Sequence, residues 1–348
     1  MPVALSPAQP AERSRRRTVD FSDPAACIAL TRALLQEDFG VVWFLPSGRL
    51  CPPLTNRLNY ILWISDLLDL AMSSGCVASS CIRGLDIGCG ANLVYCLLGA
   101  AAQGWAMVGV DVDEGALENA AALIEANPHL GDKLSIRHVE PQPEQKQGET
   151  AVKVAPPVSS TLPSAATDDE RASWLHPSRL GRGILSGALA KDDPVYSFSM
   201  CNPPFFAEPA DVGANPNTDY GGSSSETVYP GGEEAFVLAM VLDSQAVPEA
   251  AIWFTTMVGK KSTLVLAQKR LRTLQGVRCV RTRHLAQGRT SRWALAWSFV
   301  LRPEVGMGAL KSGQHDRPAE EGSIEWSLEV ELARPEQSAE LAQVVAES

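Results

Sequence analysis

The sequence lacks the features that mark membrane, secreted and metal-binding proteins. It contains no run of eighteen apolar residues, so no transmembrane helix is expected. Its first residues, MPVALSPAQPAERSRRR, have no apolar core of signal-peptide length. Its eight cysteines and five histidines are scattered singly, without a CxxC pair or a cluster at metal-ligand spacing. These absences predict an intracellular protein with reduced cysteines, no membrane partner and no metal.

Basic side chains are fewer than acidic ones, and a third of them lie in one basic segment between Met257 and Arg292. The chain carries 30 Lys and Arg against 40 Asp and Glu, for a formal net charge of -10. A basic stretch in an acidic chain indicates a polyanion site, for which nucleic acid is the natural partner. The alternative is a helix and a hairpin whose long basic side chains cover apolar surface. The segment has no acid, and its ten bases are Lys260, Lys261, Lys269, Arg270, Arg272, Arg278, Arg281, Arg283, Arg289 and Arg292.

Hydrophobic periodicity predicts a domain at 20–302, flanked by segments of different composition. Residues 1–19 are rich in Pro, Ala and Arg and predict a disordered basic tail, whereas 303–348, with ten acids and three bases, predict an acidic one. N-terminal helices are expected within 20–75. Residues 141–182, rich in polar residues and Pro, predict a disordered insertion, so the ordered domain is expected on both sides of it.

Two helices are predicted ahead of the sheet. Asp23 and Pro24 supply an N-cap and a first-turn proline for a helix that Gly40 ends. The second helix is predicted from Asn59 to Ser73. One face of that helix carries Ile61, Ile64, Leu68 and Met72.

From residue 82 onward, short apolar runs alternate with amphipathic stretches. The runs IRGLDIG, WAMVGVDVD and KLSIRHVE are separated by LVYCLLGAAAQG and GALENAAALIEAN, a pattern that predicts a doubly wound parallel α/β sheet. The sheet is expected to resume at PVYSFSMCNPPFF and AIWFTTMV. A helix near 262–274 then precedes VRCVRTRHLA and RWALAWSFVL, which predict a closing antiparallel hairpin. Residues 207–232, rich in Gly, Ser and Asn, predict a mobile loop after the fourth strand.

The strand LDI is followed by the turn GCG, which resembles a nucleoside-binding turn. Gly88 and Gly90 let the backbone approach a ligand where a side chain would block it. Asp111, 23 residues past Gly88, ends the next strand, where a carboxylate can accept both ribose hydroxyls. Dinucleotide-binding turns have a third glycine, whereas Leu93 occupies that position here. This difference favours S-adenosylmethionine, which carries no phosphate, as the ligand. We predict a cofactor site that includes Asp86; the alternative is a tight turn that any α/β core needs.

The motif Asn202-Pro203-Pro204-Phe205 follows the predicted fourth strand. Ligands of α/β sheets bind beyond the carboxyl ends of the strands, so the glycine turn, Asp111 and Asn202 are expected to converge on one crevice. The alternative for the motif alone is a rigid aromatic turn that packs a loop.

The chemistry of this motif suits methylation of a planar amine such as adenine N6. The nitrogen lone pair is delocalised into the ring, and two hydrogen-bond acceptors, the Asn202 amide oxygen and the Pro203 carbonyl, would let the nitrogen pyramidalise. The two prolines stiffen the turn. Phe205 would stack on the extruded base, a contact of roughly 1–3 kcal/mol. No strong general base is needed, because the amine becomes acidic once it is alkylated.

The residues in four blocks resemble the methyltransferase-like protein sixteen family, which includes eukaryotic U6 spliceosomal RNA and bacterial large-subunit rRNA adenine-N6 methyltransferases. The blocks are FSDPAACIALTRALLQEDFG with NRLNYILWISDLL, GLDIGCGANLVYCLLGAAAQGW with VDVDE, MCNPPFF, and MVGKK with QGRTSRWALAWSF. The resemblance implies a Rossmann-like class I fold, S-adenosylmethionine as methyl donor and N6-methyladenosine in RNA as product.

By position, the resemblance also implies roles for single residues. The implied cofactor contacts are Arg57, Gly88, Asn92 and Asp111, with Asp86, Gly90 and Asn202 beside them. The implied catalytic motif is Asn202, Pro203, Pro204 and Phe205. The implied substrate contacts are Phe206 in the base pocket and Lys260, Lys261, Arg289 and Arg292 on RNA.

Two departures from the family pattern bear on substrate binding. The family's basic, aromatic N-terminal region is shortened here to an unpatterned tail. The stretch that leads from the third strand toward the catalytic strand, and contributes a loop near the cofactor, is replaced by the insertion at 141–182.

The functional expectation is methyl transfer to adenine N6 in structured RNA, with U6 spliceosomal RNA as the target and the nucleus as the location. Large-subunit rRNA and a cytoplasmic location are the alternative, and DNA adenine or a protein side-chain amide would suit the same motif. A different class of function is an RNA-binding module whose catalysis has been lost.

Overall fold

The computed structural model describes most of the predicted domain. None of the helices in its described ranges is long and apolar enough to cross a membrane. The predicted tails and the insertion at 141–182 lie outside the described residues, apart from Val19. The described residues are 19–21, 23–77, 81–139, 183–206, 224–287 and 290–301.

Helices and strands alternate along the described chain. Ahead of the predicted insertion they are α1 (Pro24–Phe39), α2 (Leu54–Ser73), β1 (Arg83–Ile87), α3 (Val94–Gln103), β2 (Ala106–Asp111), α4 (Glu114–Ala126), a 3-10 helix (Pro128–Lys133) and β3 (Leu134–His138). After it they are α5 (Ile184–Ala188), β4 (Tyr196–Cys201), α6 (Ser224–Thr227), α7 (Gly232–Asp243), β5 (Ala251–Val258), α8 (Lys261–Thr273), β6 (Cys279–Gln287) and β7 (Thr290–Ser298).

The strands form one seven-stranded sheet in the order β3-β2-β1-β4-β5-β7-β6. The pairs β2–β3, β1–β2, β1–β4 and β4–β5 are parallel, whereas β7 runs antiparallel to both β5 and β6. This arrangement confirms the predicted doubly wound, mostly parallel α/β fold with a C-terminal antiparallel hairpin. The carboxyl ends of β1, β2 and β4 therefore lie side by side at one edge, where such sheets bind ligands.

Helices cover both faces of the sheet, and alternate residues of β5 pack to opposite sides. Trp253 and Met257 belong to the apolar cluster that includes residues of α1, α2, α3 and α4. Phe254 and Val258 belong to the cluster that includes residues of α5, α7 and α8. Every residue of β4 is buried, as expected for a central strand covered on both faces. The turns that follow such strands are held by the two packed layers.

The first helix begins and ends where the sequence predicts. The Asp23 carboxylate accepts a hydrogen bond from the Ala25 N–H at 2.9 Å, and Gly40 ends the helix in the left-handed conformation with φ 65°. The second helix was predicted to begin at Asn59, but it begins five residues earlier. Pro53 precedes it with an extended backbone, and its carbonyl accepts the first helical N–H groups. The first turn of the helix is largely polar, so the apolar periodicity does not indicate this start.

The segment 207–232 was predicted to be a loop throughout, and that prediction was wrong at its C-terminal end. Residues 224–227 form a helical turn, and Val228 forms a β-bridge with Phe206. The Phe206 N–H donates to the Thr227 carbonyl at 3.0 Å, and the Tyr229 N–H donates to the Phe206 carbonyl at 3.0 Å. The end of the segment is therefore tied to the residue that follows the Asn-Pro-Pro-Phe motif.

Candidate active site

A cavity of about 420 Å³ lies at the carboxyl ends of β1, β2 and β4. Its lining comes from the glycine turn, from the end of β2 and from the start of the Asn-Pro-Pro-Phe motif, so the predicted convergence of these three segments is present in the structure. Of the predicted site residues, the lining contains Arg57, Gly88, Gly90, Asn92, Asp111, Asn202 and Pro204.

The glycine turn is bonded to the end of β2. The N–H groups of Gly88 and Cys89 both donate to the Val110 carbonyl, at 2.9 and 3.0 Å. Gly88 has φ 74° and Gly90 has φ 63°, in the region that glycine occupies without steric cost. A Cβ atom at Gly88 would meet nothing within 4 Å. Since Gly88 lines the cavity, a side chain there would project into space that a ligand can use.

Asp111 couples the turn to the cavity. Its Oδ2 accepts the Gly90 N–H at 2.8 Å, and its Oδ1 accepts the Asp113 N–H at 3.0 Å. An ionised carboxylate has about four lone-pair sites, so acceptor capacity remains on the side that lines the cavity. Asp113 in turn caps α4 and forms an ion pair with Arg49 at 2.6 Å.

Leu93 stands at the third glycine position and adopts the left-handed conformation, with φ 48°. The neighbouring Asn92 stabilises this bend, because its Oδ1 accepts the Val94 N–H at 3.1 Å and its Nδ2 donates to the Leu50 carbonyl at 3.4 Å. Trp43 Nε1 donates to the Asn92 carbonyl at 2.9 Å. The polar side-chain atoms of Asn92 are therefore bonded within the protein, although the residue lines the cavity.

Arg57 places a cation in the cavity wall without an ion-pair partner among the described residues. The residue is 7% exposed, and its Nη1 donates to the Tyr95 hydroxyl at 2.9 Å. Its guanidinium also lies 5.4 Å from the centroid of the Tyr95 ring. Among the described residues no carboxylate lies within ion-pair distance of it. A buried cation is costly without an anionic partner, so Arg57 is suited to hold a ligand carboxylate.

Asp86, which was predicted as a cofactor contact, does not line the cavity. It is completely buried, and its Oδ2 accepts a weak hydrogen bond from the Cys96 thiol at 3.7 Å. Asp86 precedes the last residue of β1, so its side chain points into the layer of α3 instead of beyond the strand end. The pKa of Asp86 is raised to about 7, mainly by burial and also by the charge of Asp111, whereas the hydrogen bond from Cys96 and the charge of Arg57 oppose the shift.

Asn202 presents an unused hydrogen-bond acceptor at the cavity. Its Oδ1 is buried and has no hydrogen-bond partner among the described residues. Buried polar atoms of folded proteins are usually paired, so an orphaned oxygen in a cavity wall indicates a ligand donor. Pro204 lines the same cavity, whereas Pro203 is buried and is not part of the lining.

Phe205 lies beyond the cavity lining, next to the loop that follows β5. Its ring is 3.4 Å from the position that a Cβ of Gly259 would take. The guanidinium of Arg292 lies 5.5 Å from the centroid of the same ring, within cation–π distance. Two predicted substrate residues therefore contact each other. Phe206 is paired with Val228 and is also absent from the lining.

The basic segment is divided between exposed and bonded side chains. Lys260 and Lys261 are exposed at the start of α8, near Phe205. Arg283 in β6 forms an ion pair with Asp66 of α2 at 2.5 Å. At least one base of the segment is therefore paired with an acid of the same chain. Arg289 lies outside the described residues.

Sequence reasoning missed several residues of the cavity wall. Glu226, Tyr229 and the α5 residues Ile184 and Ala188 line the cavity. Glu226 Oε2 accepts the Leu50 N–H at 3.4 Å, which joins the segment after α1 to the segment after the motif. These residues come from parts of the chain next to the predicted insertion and loop, where periodicity gives no indication.

The fold and the crevice together define a class I S-adenosylmethionine-dependent methyltransferase. A doubly wound sheet closed by an antiparallel strand carries a glycine turn after β1 and an acid at the end of β2. The model of an RNA methyltransferase family matches residues 10–153 and 178–301. The chain belongs to this RNA methyltransferase family.

Proteins that are similar in sequence support this family assignment. Ribosomal RNA large subunit methyltransferase F of Pseudomonas aeruginosa (strain LESB58) is 32% identical over 303 residues, covering 82% of this chain and 78% of that protein. Its namesake in Aeromonas salmonicida (strain A449) is 33% identical over 322 residues, covering 88% and 86%. The resemblance noted in the sequence is thereby confirmed at the level of the family.

Two solved structures show the same fold. A crystal structure of the hMettl16 catalytic domain in complex with MAT2A 3'UTR hairpin 6 has 32% sequence identity and a TM-score of 0.60, covering 80% of this chain and 83% of that one. The N-terminal domain of human METTL16 in complex with SAH has 33% identity and a TM-score of 0.56, covering 80% and 84%. This chain is accordingly an S-adenosylmethionine-dependent RNA methyltransferase.

The cavity fits this methyl donor. Arg57 offers a cation for the carboxylate of the methionine part, and Asp111 offers acceptors for the ribose hydroxyls. Gly88 leaves room for the backbone of the turn to approach the ligand. The apolar side chains of Val112, Val139 and Ile184 also line the cavity and offer contact surface for a nucleobase.

Proposed function

We propose that this chain methylates the N6 amine of an adenine in a structured RNA, and that its target is U6 spliceosomal RNA. The observation that carries the first half is the buried Oδ1 of Asn202, which has no partner among the described residues and lies in the same cavity wall as the glycine turn and Asp111. An amide oxygen in this position suits an N–H donor that arrives with the substrate.

The chain's residues would supply positioning and polarisation. S-adenosylmethionine, when bound, supplies an electrophilic methyl group on a sulfonium. The Asn202 amide oxygen and the Pro203 carbonyl would each accept an N–H of the amine, so that its lone pair turns toward the methyl carbon. Methyl transfer would form the N–C bond while the C–S bond of the donor breaks with its electron pair on sulfur. The methylated nitrogen would then lose its extra proton to water.

The RNA target rests on the family and on the composition of the chain. The solved relatives include complexes with RNA hairpins, which supports a folded RNA as substrate. The insertion at 141–182, rich in Pro, Ser and acids, is typical of eukaryotic nuclear proteins and favours U6 RNA over rRNA. A nuclear location is part of this proposal.

Large-subunit rRNA is the second candidate target, because the relatives from bacteria carry that function in their names. Both targets share the chemistry proposed for Asn202. They differ in the RNA that the enzyme selects, which a direct competition resolves.

The test is methyl transfer from labelled S-adenosylmethionine to a U6-like hairpin, a large-subunit rRNA fragment and a DNA hairpin of equal length. We expect N6-methyladenosine as the labelled nucleoside, with the U6-like RNA preferred in competition. Asn202→Ala should lower kcat by about 10²–10³, the usual cost of one transition-state hydrogen bond. Asn59→Ala, a half-buried asparagine on α2, is the matched control and should leave kcat unchanged. Full activity of Asn202→Ala, or label on another atom, would refute the proposed chemistry, and a preference for the rRNA fragment would replace the target.

A further inference from the structure

Helix α7 carries one buried carboxylate near each end, and the cavity lining includes neither. Glu233 in its first turn is 2% exposed, and Asp243 at its last residue is 6% exposed. Among the described residues neither forms an ion pair, and both accept hydrogen bonds from backbone N–H groups of other segments. The two carboxylates hold two different parts of the crevice.

Asp243 holds the short helix α5 against the cavity. Its Oδ2 accepts the N–H groups of Leu185 and Ser186 at 2.7 and 2.8 Å, and its Oδ1 accepts the Ser186 hydroxyl at 3.0 Å. A Cβ at Gly183 would lie 1.9 Å from Oδ1, so only glycine permits this approach. Gly183, Ile184 and two further residues of this segment line the cavity. Asp243 therefore sets the position of a wall that faces the cofactor.

Glu233 holds the loop between β5 and α8. Its Oε2 accepts the Gly259 N–H at 2.6 Å, and its Oε1 accepts the Lys260 N–H at 3.1 Å. Gly259 in turn lies against the ring of Phe205. Charge-assisted bonds to backbone N–H groups are among the stronger hydrogen bonds in proteins. Glu233 therefore fixes the surface behind the aromatic residue of the motif, on the side where the target base is proposed to enter.

We propose that α7 positions the two substrates separately, with Asp243 setting the affinity for S-adenosylmethionine and Glu233 setting the handling of RNA. Both are positioning residues, since each acts through the segment that it holds. The helix has 12 residues and so extends about 18 Å at 1.5 Å per residue, which separates the two effects. The RNA half of this inference rests on the proposed function, whereas the cofactor half does not.

The test uses Asp243→Asn and Glu233→Gln, which keep the shape of each side chain but replace one acceptor oxygen with a donor. Calorimetry with S-adenosylmethionine alone should show a dissociation constant raised about tenfold for Asp243→Asn and unchanged for Glu233→Gln. In steady-state kinetics with a hairpin RNA, Glu233→Gln should change the RNA KM and kcat, whereas Asp243→Asn should leave both unchanged. Glu234→Gln, which removes the same charge from a half-buried neighbour on α7, should change neither quantity.

Ser186→Ala provides a second variant should Asp243→Asn fail to fold, because it removes the hydroxyl that donates to Asp243 and accepts the Gly183 N–H. The two backbone N–H bonds to Asp243 Oδ2 remain. This variant should raise the S-adenosylmethionine dissociation constant a few-fold without changing the RNA KM. Gly259→Ala disturbs the Glu233 contact from the loop side, because its methyl group would lie 2.5 Å from Glu233 Oε2 and 3.4 Å from the Phe205 ring. Equal changes in both substrates for either variant would overturn the inference, as would a loss of stability with unchanged binding constants. If the parent protein does not methylate adenine N6, the proposed function is wrong, but calorimetry with S-adenosylmethionine still tests the role of Asp243.

Discussion

Asp86 should make the stability of the fold fall as the pH rises toward neutrality. The side chain is completely buried, and burial raises its pKa from 3.8 to about 7. Between these two values the folded protein keeps a proton that the unfolded chain has released, so unfolding becomes easier as the pH increases. At 1.36 kcal/mol for each pH unit of difference, the stability lost across this window is about 4 kcal/mol at most.

Asp86→Asn removes this titration with little change of shape. We expect the variant and the parent protein to be about equally stable near pH 4, and the variant to become progressively more stable than the parent up to about pH 7. Urea unfolding of both proteins at one-unit intervals measures the difference directly and cancels the titration of all other groups. A difference that stays constant with pH, or that changes in the opposite direction, would refute the reasoning.

The same pair of proteins tests the position of Asp86 relative to the cofactor. Because its carboxylate does not line the cavity, the affinity for S-adenosylmethionine at pH 5, where Asp86 is protonated, should be nearly the same in both. A large loss of affinity at pH 5 in Asp86→Asn would instead support the direct contact predicted from the sequence.

Two further variants probe the cavity itself. Arg57→Met should weaken S-adenosylmethionine binding by about 2–5 kcal/mol, the usual cost of removing one partner of a buried charge pair. Thermal unfolding should show that the fold is intact. Unchanged affinity would exclude Arg57 as the partner of the ligand carboxylate. Gly88→Ala should lower the affinity for S-adenosylmethionine, because the added methyl group enters the cavity. It should also cost about 1–2 kcal/mol of stability, because alanine is strained in the left-handed conformation at φ 74°. Calorimetry and urea unfolding measure the two effects, and normal binding would show that the ligand lies elsewhere.

The parts of the site that could be predicted are those fixed by strand ends. Asp111 is the last residue of β2 and Asn202 follows the last residue of β4, so the parallel pairing alone brings both to one edge. Asp86 lies one residue before the end of β1 and is therefore inside the sheet, which helices cover on both faces. A difference of one residue along a strand is enough to exchange a cavity position for a core position.

The parts that could not be predicted depend on contacts between distant segments. Arg57 was identified only through the family resemblance, since its lack of an acidic partner is a property of the folded chain. Glu233 and Asp243 lie near the two ends of an apolar, largely buried helix, and their acceptor roles depend on Gly259 and Gly183, which are distant in sequence. No periodicity in the sequence encodes such pairs.

The arrangement of charges explains how an acidic chain can bind a polyanion. Several acids near the crevice face inward: Glu233 and Asp243 are buried and accept backbone N–H groups, and Asp86 is buried beneath the turn. Lys260 and Lys261 are exposed beside Phe205, where the RNA is proposed to approach. An approaching phosphate therefore meets exposed cations, whereas the charges of Glu233 and Asp243 are already compensated by hydrogen bonds from backbone N–H groups. Local exposure, and not the net charge of -10, determines whether RNA can bind at this edge.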